Sequence, residues 1–289
     1  MDIFIQIILN SVIAGAIYAL VSLGFNLIYS TARFFDLAYG GVIAVGGYAV
    51  YYFYRILGLN VLTSITLGIL VAGLVGFLIE RMVYKQLRAR KASNTVLLVA
   101  SLGILTAIQA VISILFSSRF LSLTNGLSSN NTFNVFGGAI TEIQVAILAV
   151  TLLVMIIMAV VLKYTLFGKA IRAVADDSEV ASIVGINSNK IMGLVFFIGS
   201  LVAGVAGIAV GFESGIRPMM SMALLLKGFI VVVIGGVGSI YGGVLAAFFL
   251  AVIENIGVWQ FSSEWRDTIA FLVLIVFLLF RPRGFFSKK

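Results

Sequence analysis

Residues 166–190 read LFGKAIRAVADDSEVASIVGINSNK. They follow EIQVAILAVTLLVMIIMAVVLKY (142–164) and precede IMGLVFFIGSLVAGVAGIAVGF (191–212). Each flank is about as long as the roughly 20 apolar residues that cross a bilayer. The stretch between them carries Lys169, Arg172, Asp176, Asp177, Glu179 and Lys190, in a chain only 10% charged. A charged segment strung between two spanning runs lies in water at one membrane face. It therefore marks the chain as polytopic and gives a reference point for its orientation.

Composition agrees. Of 289 residues 62% are hydrophobic, against about 45–50% in soluble domains, and the mean hydropathy is +1.18. No water-soluble core accommodates that much apolar side chain, so the solvent is lipid. Thirty glycines against two prolines suit transmembrane helices packed through small residues. The absence of Cys and His excludes disulfides, thiol nucleophiles, Cys or His metal sites and His acid–base chemistry. The net charge of +8 reads as basic loops at one membrane face rather than nucleic-acid binding.

Further apolar runs fall at about 4–29, 37–54, 60–80 and 94–116, with a broken run over 219–257 and a last one over 267–280. The first begins without a basic leader and with Asp2, so it reads as a retained helix rather than a signal peptide. Arg81, Lys85, Arg88, Arg90 and Lys91 fill one loop; Lys163, Lys169, Arg172 and Lys190 surround the opening stretch; Arg281, Arg283, Lys288 and Lys289 close the chain. With these groups and Arg33 in the cytoplasm, 14 of the 19 basic residues are inside, as the positive-inside rule requires. The amino terminus is then outside and the carboxy terminus inside. Arg55, Arg119, Arg217, Lys227 and Arg266 are outside or embedded, and Asp2, Glu142, Glu213, Glu264 and Asp267 are outside. Residues 219–257 must cross twice or re-enter, turning near IGGVGSIYGG. The expectation is an all-α polytopic membrane protein, one domain over 1–289, with eight or nine transmembrane or re-entrant helices.

Within the charged loop (about 164–190), residues 169–184 have good helix propensity, bounded by Gly168 and by the turn formers GINSN. Ile171, Val174, Ala175, Ser178 and Ala181 share one narrow face of mostly small residues. Such a face suits docking in another protein's groove, with charges setting register; the alternative is a solvated helix with no partner.

GKAIRAVADDSEVASIVGIN resembles the cytoplasmic coupling loop of ABC importer permeases, most closely those for branched-chain amino acids. The matching positions are Gly168, Lys169, Arg172, Ala173, Ala175, Asp177, Ala181, Gly185, Ile186 and Asn187. The resemblance extends to KGFIVVVIGGVGSIYGGVLAAFFLAVIENI and to FNLIYSTARFFDLAYGGVIAVGGY, where Asp36 and Tyr39 replace the usual Asn and His. It implies a non-catalytic subunit of the inner membrane. Its partners would be a second permease, cytoplasmic ATPases that use ATP and Mg, and an extracytoplasmic substrate-binding protein. Lys169, Arg172, Ala175, Asp176, Asp177, Ser178, Ala181 and Gly185 would couple to the ATPases. No catalytic residue, metal site or cofactor of its own is expected. A permease for urea, amides or another small solute is the alternative, and a self-powered secondary transporter is a further one.

Asn26, Asp36, Gly235, Gly236, Gly238 and Gly242 are candidates for the translocation pathway. Asp36 either caps the second helix or lines a path. The glycines either form a path or pack tightly. Glu80 stands next to Arg81 at the cytoplasmic edge. Glu254 with Asn255 reads as an interfacial pair or part of an outer gate. Asn10, Asn26 and Gln109 read as interhelical hydrogen-bonding groups. The loop over 117–138 is long enough to meet an external partner, and Asn130-Asn131-Thr132 fits a glycosylation pattern. Trp259 and Trp265 suit an interfacial belt.

Overall fold

The computed structural model describes residues 2–124, 132–135, 137–281 and 284–285. Helix α1 (Asp2–Ala32) leads into α2 (Ala38–Tyr51), which ends in a π turn (Tyr52–Ile56). Helix α3 (Val61–Ile79) continues through a second π turn (Glu80–Tyr84) into α4 (Lys85–Ala89), and α5 (Asn94–Phe116) follows. A hairpin of β1 (Thr132–Val135) and β2 (Gly138–Thr141) precedes α6 (Glu142–Tyr164). Then come α7 (Leu166–Asp176), α8 (Ser178–Ile183), α9 (Ser188–Ser214), α10 (Met220–Gly235), α11 (Ile240–Gln260) and α12 (Arg266–Phe280). Among the described residues, six helices are long and apolar enough to cross a membrane, beginning at Ile3, Val61, Asn94, Glu142, Ser188 and Tyr241. The shorter α2, α10 and α12 are also apolar. Together they form a multi-pass all-α membrane protein with nine apolar helical elements among the described residues.

Because most of these helices are apolar on every side, hydrophobicity alone does not choose the inner ones. Small residues do. In α9, 67% of the most apolar window is buried, against 22% in α5 and in α6. Where α9 crosses α2, a Cβ on Gly46 would lie 2.6 Å from the Gly204 Cα. Where it crosses α3, a Cβ on Gly76 would overlap the Ser200 side chain. Lipid offers no hydrophobic drive between helices, so such close van der Waals contact holds them together. The small-residue spacings Ser200–Gly204 and Gly207–Gly211 therefore serve packing. Leu152, Leu153, Ile156 and Ile157 of α6 and Leu272, Ile275, Val276 and Leu279 of α12 face outward, as lipid-facing surfaces do.

The broken run folds as the hairpin α10–α11, turning at Gly236–Ser239. At about 1.5 Å per residue, its 16 and 21 residues are about 24 and 32 Å long. Gly236 and Gly238 have φ of +97° and +83°, which a Cβ disfavours. Two expectations need correction. Residues 169–184 are not one helix: the backbone breaks at Asp177 (φ −153°, ψ 114°), which caps α8 instead of continuing α7. Asp prefers that arrangement because its short carboxylate satisfies free N–H groups at a helix start. Glu80, expected at the cytoplasmic edge next to Arg81, takes a more distant partner. It is buried and paired with Arg88, with Arg88 Nη1 donating to its Oε2 at 3.0 Å. In the loop over 117–138, Leu121 pairs with Ile216 and Leu123 is buried. Asn130 and Asn131 lie outside the described residues, as do Arg283, Lys288 and Lys289.

Candidate functional site

The charged segment is tied to the bundle at three helices. Thr165 caps α7, its Oγ1 accepting from the Gly168 N–H at 3.1 Å. A Cβ on Gly168 would overlap the Leu162 carbonyl, so only glycine lets α7 turn this close beneath α6. Arg172 donates to that same carbonyl, at the end of α6 where free carbonyls favour a cation. Arg33, just past α1 and in a left-handed conformation (φ +59°), donates from Nε to the Ala175 carbonyl at 3.1 Å. Asp177 accepts from the N–H groups of Glu179 and Val180 at 2.8 and 3.0 Å. These hydrogen bonds hold its carboxyl below the usual value. Gly185, at φ +89°, closes α8, and Asn187 caps α9 through the Lys190 N–H at 3.0 Å. Ser188 Oγ donates to the Ser178 carbonyl at 2.9 Å.

The face expected to dock outward turns inward. Val174 and Ala181 pack on Met192, Ile186 and Ile191, and Ile171 joins the main core. The apolar members of the narrow face thus meet the chain's own α9 and core, whereas Ser178 stays outside. Lys169, Arg172, Asp176, Asp177, Ser178 and Gly185 remain exposed and Ala175 half-buried. Beside them stand Ile183 and Val184, 79% and 69% exposed, with Val180. The outward surface is thus a short apolar tip flanked by charge.

The pathway candidates have structural partners. Asn26 is buried, with Oδ1 accepting from the Gly238 N–H at 2.7 Å and Nδ2 donating to the Ser239 carbonyl at 3.0 Å. It clamps the α10–α11 turn. Cβ atoms on Gly235 or Gly242 would overlap the other's backbone, so tight packing is the reading their geometry supports. Asp36 accepts from the Ala38 N–H at 3.0 Å and from Tyr84 Oη at 2.6 Å, which makes it a cap for α2 braced by the π turn. Tyr39 Oη donates to the Val21 carbonyl at 3.1 Å. Gln109 Nε2 donates to Ser221 Oγ at 3.1 Å and links α5 to α10, whereas Asn10 accepts within α1 from Gln6.

One constellation went unrecognised in the sequence. Lys227 is 7% exposed. Its Nζ donates to Tyr18 Oη at 3.0 Å and to Glu254 Oε2 at 3.1 Å, and pairs with Asp267 Oδ1 at 3.2 Å. Tyr18 Oη also donates to Glu254 Oε2 at 2.7 Å. Helices α1, α10, α11 and α12 thus meet on one ammonium. Glu254 is not an interfacial pair with Asn255, whose amide donates to the Ala251 carbonyl. The available signal was Lys227 itself, a cation within MSMALLLKGFIVVVI; a charge inside a membrane run calls for a named partner. Lys227 also lines a cavity of about 370 Å³ at the end of the bundle away from α7 and α8.

Fold and sites together define a multi-pass all-α membrane protein with an exposed apolar tip at one end and a cavity with charged groups in its lining at the other. Residues 7–278 match the family described as branched-chain amino acid transport system / permease component. The chain is 31% identical to the high-affinity branched-chain amino acid transport system permease protein BraD of Pseudomonas aeruginosa, over 99% of this chain and 96% of that one. It is also 31% identical, with the same coverage, to LivH of Escherichia coli K12, which carries the same description. Among solved structures, PsaBC from Streptococcus pneumoniae in complex with Fab has a similar fold, with a TM-score of 0.52 at 14% identity over 95% of this chain and 91% of that one. The chain belongs to the permease-component family of branched-chain amino acid transport systems. It is accordingly a transport subunit, not an enzyme.

Proposed function

We propose that this chain is the permease subunit of an ATP-driven importer for branched-chain or related small amino acids. It works in the cell inner membrane with a second permease, with cytoplasmic ATPase subunits that bind ATP and Mg, and with a substrate-binding protein on the outer side. Residues 165–187 and the carboxy terminus face the cytoplasm, the amino terminus faces out, and the α10–α11 hairpin crosses twice. The 14-to-5 distribution of basic residues supports this orientation.

The observation that carries the coupling role is the three-point anchorage beneath an exposed apolar tip. Val180, Ile183 and Val184 offer the surface a partner's groove takes up. Lys169, Arg172, Asp176 and Asp177 flank it and set register. A displacement of the tip is passed to α1 through Arg33 and Ala175, to α6 through Arg172 and Leu162, and to α9 through Ser178 and Ser188. Rigid contacts of this kind let nucleotide-driven closure of the ATPases bias the bundle between two packings. In proteoliposomes holding the assembled complex, leucine uptake should require both ATP and the binding protein. Uptake by this chain alone would favour a self-powered carrier, and uptake of urea or amides in preference to leucine would reassign the substrate.

A further inference from the structure

We infer that the cavity between α1, α9, α10, α11 and α12 is a binding site for a zwitterionic aliphatic amino acid within the permease itself. Its volume, about 370 Å³, lies in the range of about 300–1,000 Å³ typical of small-molecule sites. One wall is apolar, formed by Ile13, Ile17, Val210 and Leu224; Glu213, Lys227, Arg266 and Asp267 bring charge to the lining, and Asn10, Ser214 and Asn255 are neutral polar groups.

The charged groups divide by whether they are already occupied. Lys227 has its contacts taken by Tyr18, Glu254 and Asp267. It is a fixed floor and neutralises the carboxylates around it. Arg266 is different. It lines the cavity, its Nε is buried without a hydrogen-bond partner, and it forms no ion pair among the described residues. A guanidinium next to an open cavity is shaped for a carboxylate, which it can hold with two parallel hydrogen bonds. Glu213, at the end of α9, also lines the cavity and is exposed; its Oε1 already accepts from Gln144 Nε2 at 3.0 Å. It is the group for an ammonium. A cation, an anion and an apolar wall around one small volume match the three parts of an α-amino acid with a short aliphatic side chain: Arg266 takes the carboxylate, Glu213 the ammonium, and Ile13, Ile17, Val210 and Leu224 the side chain. Selectivity would then reside partly in this chain and not only in the external binding protein.

The inference rests on the permease reading, and the test separates the two. The probe is radiolabelled L-leucine, added to the complete complex of this chain with its partner permease and ATPases, without the binding protein. Saturable binding is expected. 4-Methylpentanoate and 3-methylbutylamine, each lacking one charged end, should compete poorly. Arg266→Lys keeps the charge and loses the fork; Glu213→Gln changes an exposed position that does not risk the fold. Each should weaken binding on the order of ten- to a hundredfold while the complex stays assembled. No saturable binding to a complex that still imports leucine with its binding protein overturns the site and leaves the permease reading intact. Binding unchanged in both variants, or equal competition by the two analogues, also overturns it. A complex that assembles, responds to the binding protein, and imports only a different solute overturns the permease reading's substrate instead.

Discussion

Replacing Lys227 with methionine isolates the interaction that joins four helices. The side chain is 9% exposed and its partner Glu254 is 1% exposed, whereas Asp267 is 64% exposed. Without the ammonium, Asp267 returns to water at little cost, because exposed pairs contribute only about 0–1 kcal/mol. Glu254 cannot do so. One of its oxygens keeps the Tyr18 hydrogen bond and the other has no partner among the described residues. Breaking a buried pair from one side costs about 3–5 kcal/mol, and the surviving Tyr18 bond places this case near the lower figure, about 3 kcal/mol. Lys227→Met/Glu254→Gln removes the stranded charge and keeps an acceptor for Tyr18. The double variant should recover most of the loss, a coupling of about 2 kcal/mol. Reversible unfolding in mixed micelles, followed by Trp259 and Trp265 fluorescence, measures both variants. A single variant that loses under about 1 kcal/mol, or a double variant whose loss equals the sum of the two singles, would refute the reasoning.

Three further outcomes are expected. Asn26→Leu strands the Gly238 N–H and should cost about 1–3 kcal/mol in the same unfolding assay, with faster hydrogen exchange across residues 236–239. Gly46→Ala presses a methyl onto α9 at Gly204 and should cost about 1–3 kcal/mol, whereas Gly103→Ala, which meets open space, should be neutral. The Asp177 carboxyl is lowered by the hydrogen bonds it accepts from Val180 and Glu179, so its capping is present above the ordinary carboxylate value and lost as pH falls through the lowered one. Exchange protection of residues 178–183 should hold at neutral pH and vanish in acid, and Asp177→Ala should lack it throughout.

Much of the fold is legible because lipid imposes length: the runs at 94–116 and 267–280 match α5 and α12 to within a residue. The sequence also marks the turn in the broken run, since GGVGS supplies three glycines, two of which adopt positive φ. What stays hidden is which side of a helix meets which neighbour. Helices apolar all round carry no facing information. In the charged segment the stripe of Ile171, Val174 and Ala181 is visible, but its partner is not: it meets the chain's own core and α9 rather than another protein. Capping is equally hard to foresee at Asp177, where helix propensity on both sides masks a break made by one side chain. Asn26 and Asp36 look alike in sequence, polar groups beside apolar runs; their partners lie 212 and 48 residues away. The Lys227 centre hides for the same reason. Its partners come from α1, α11 and α12, and only the packing of α10 brings them together.

The coupling role is tested most directly by placing charge on the exposed tip. Ile183→Asp and Val184→Asp change side chains that make no core contact, so the bundle should remain folded and in the membrane. In complexes purified by a tag on this chain, the coupling role predicts loss of the ATPase subunits and of ATP-dependent leucine uptake in both variants. ATPases retained at wild-type stoichiometry together with unchanged uptake would contradict it.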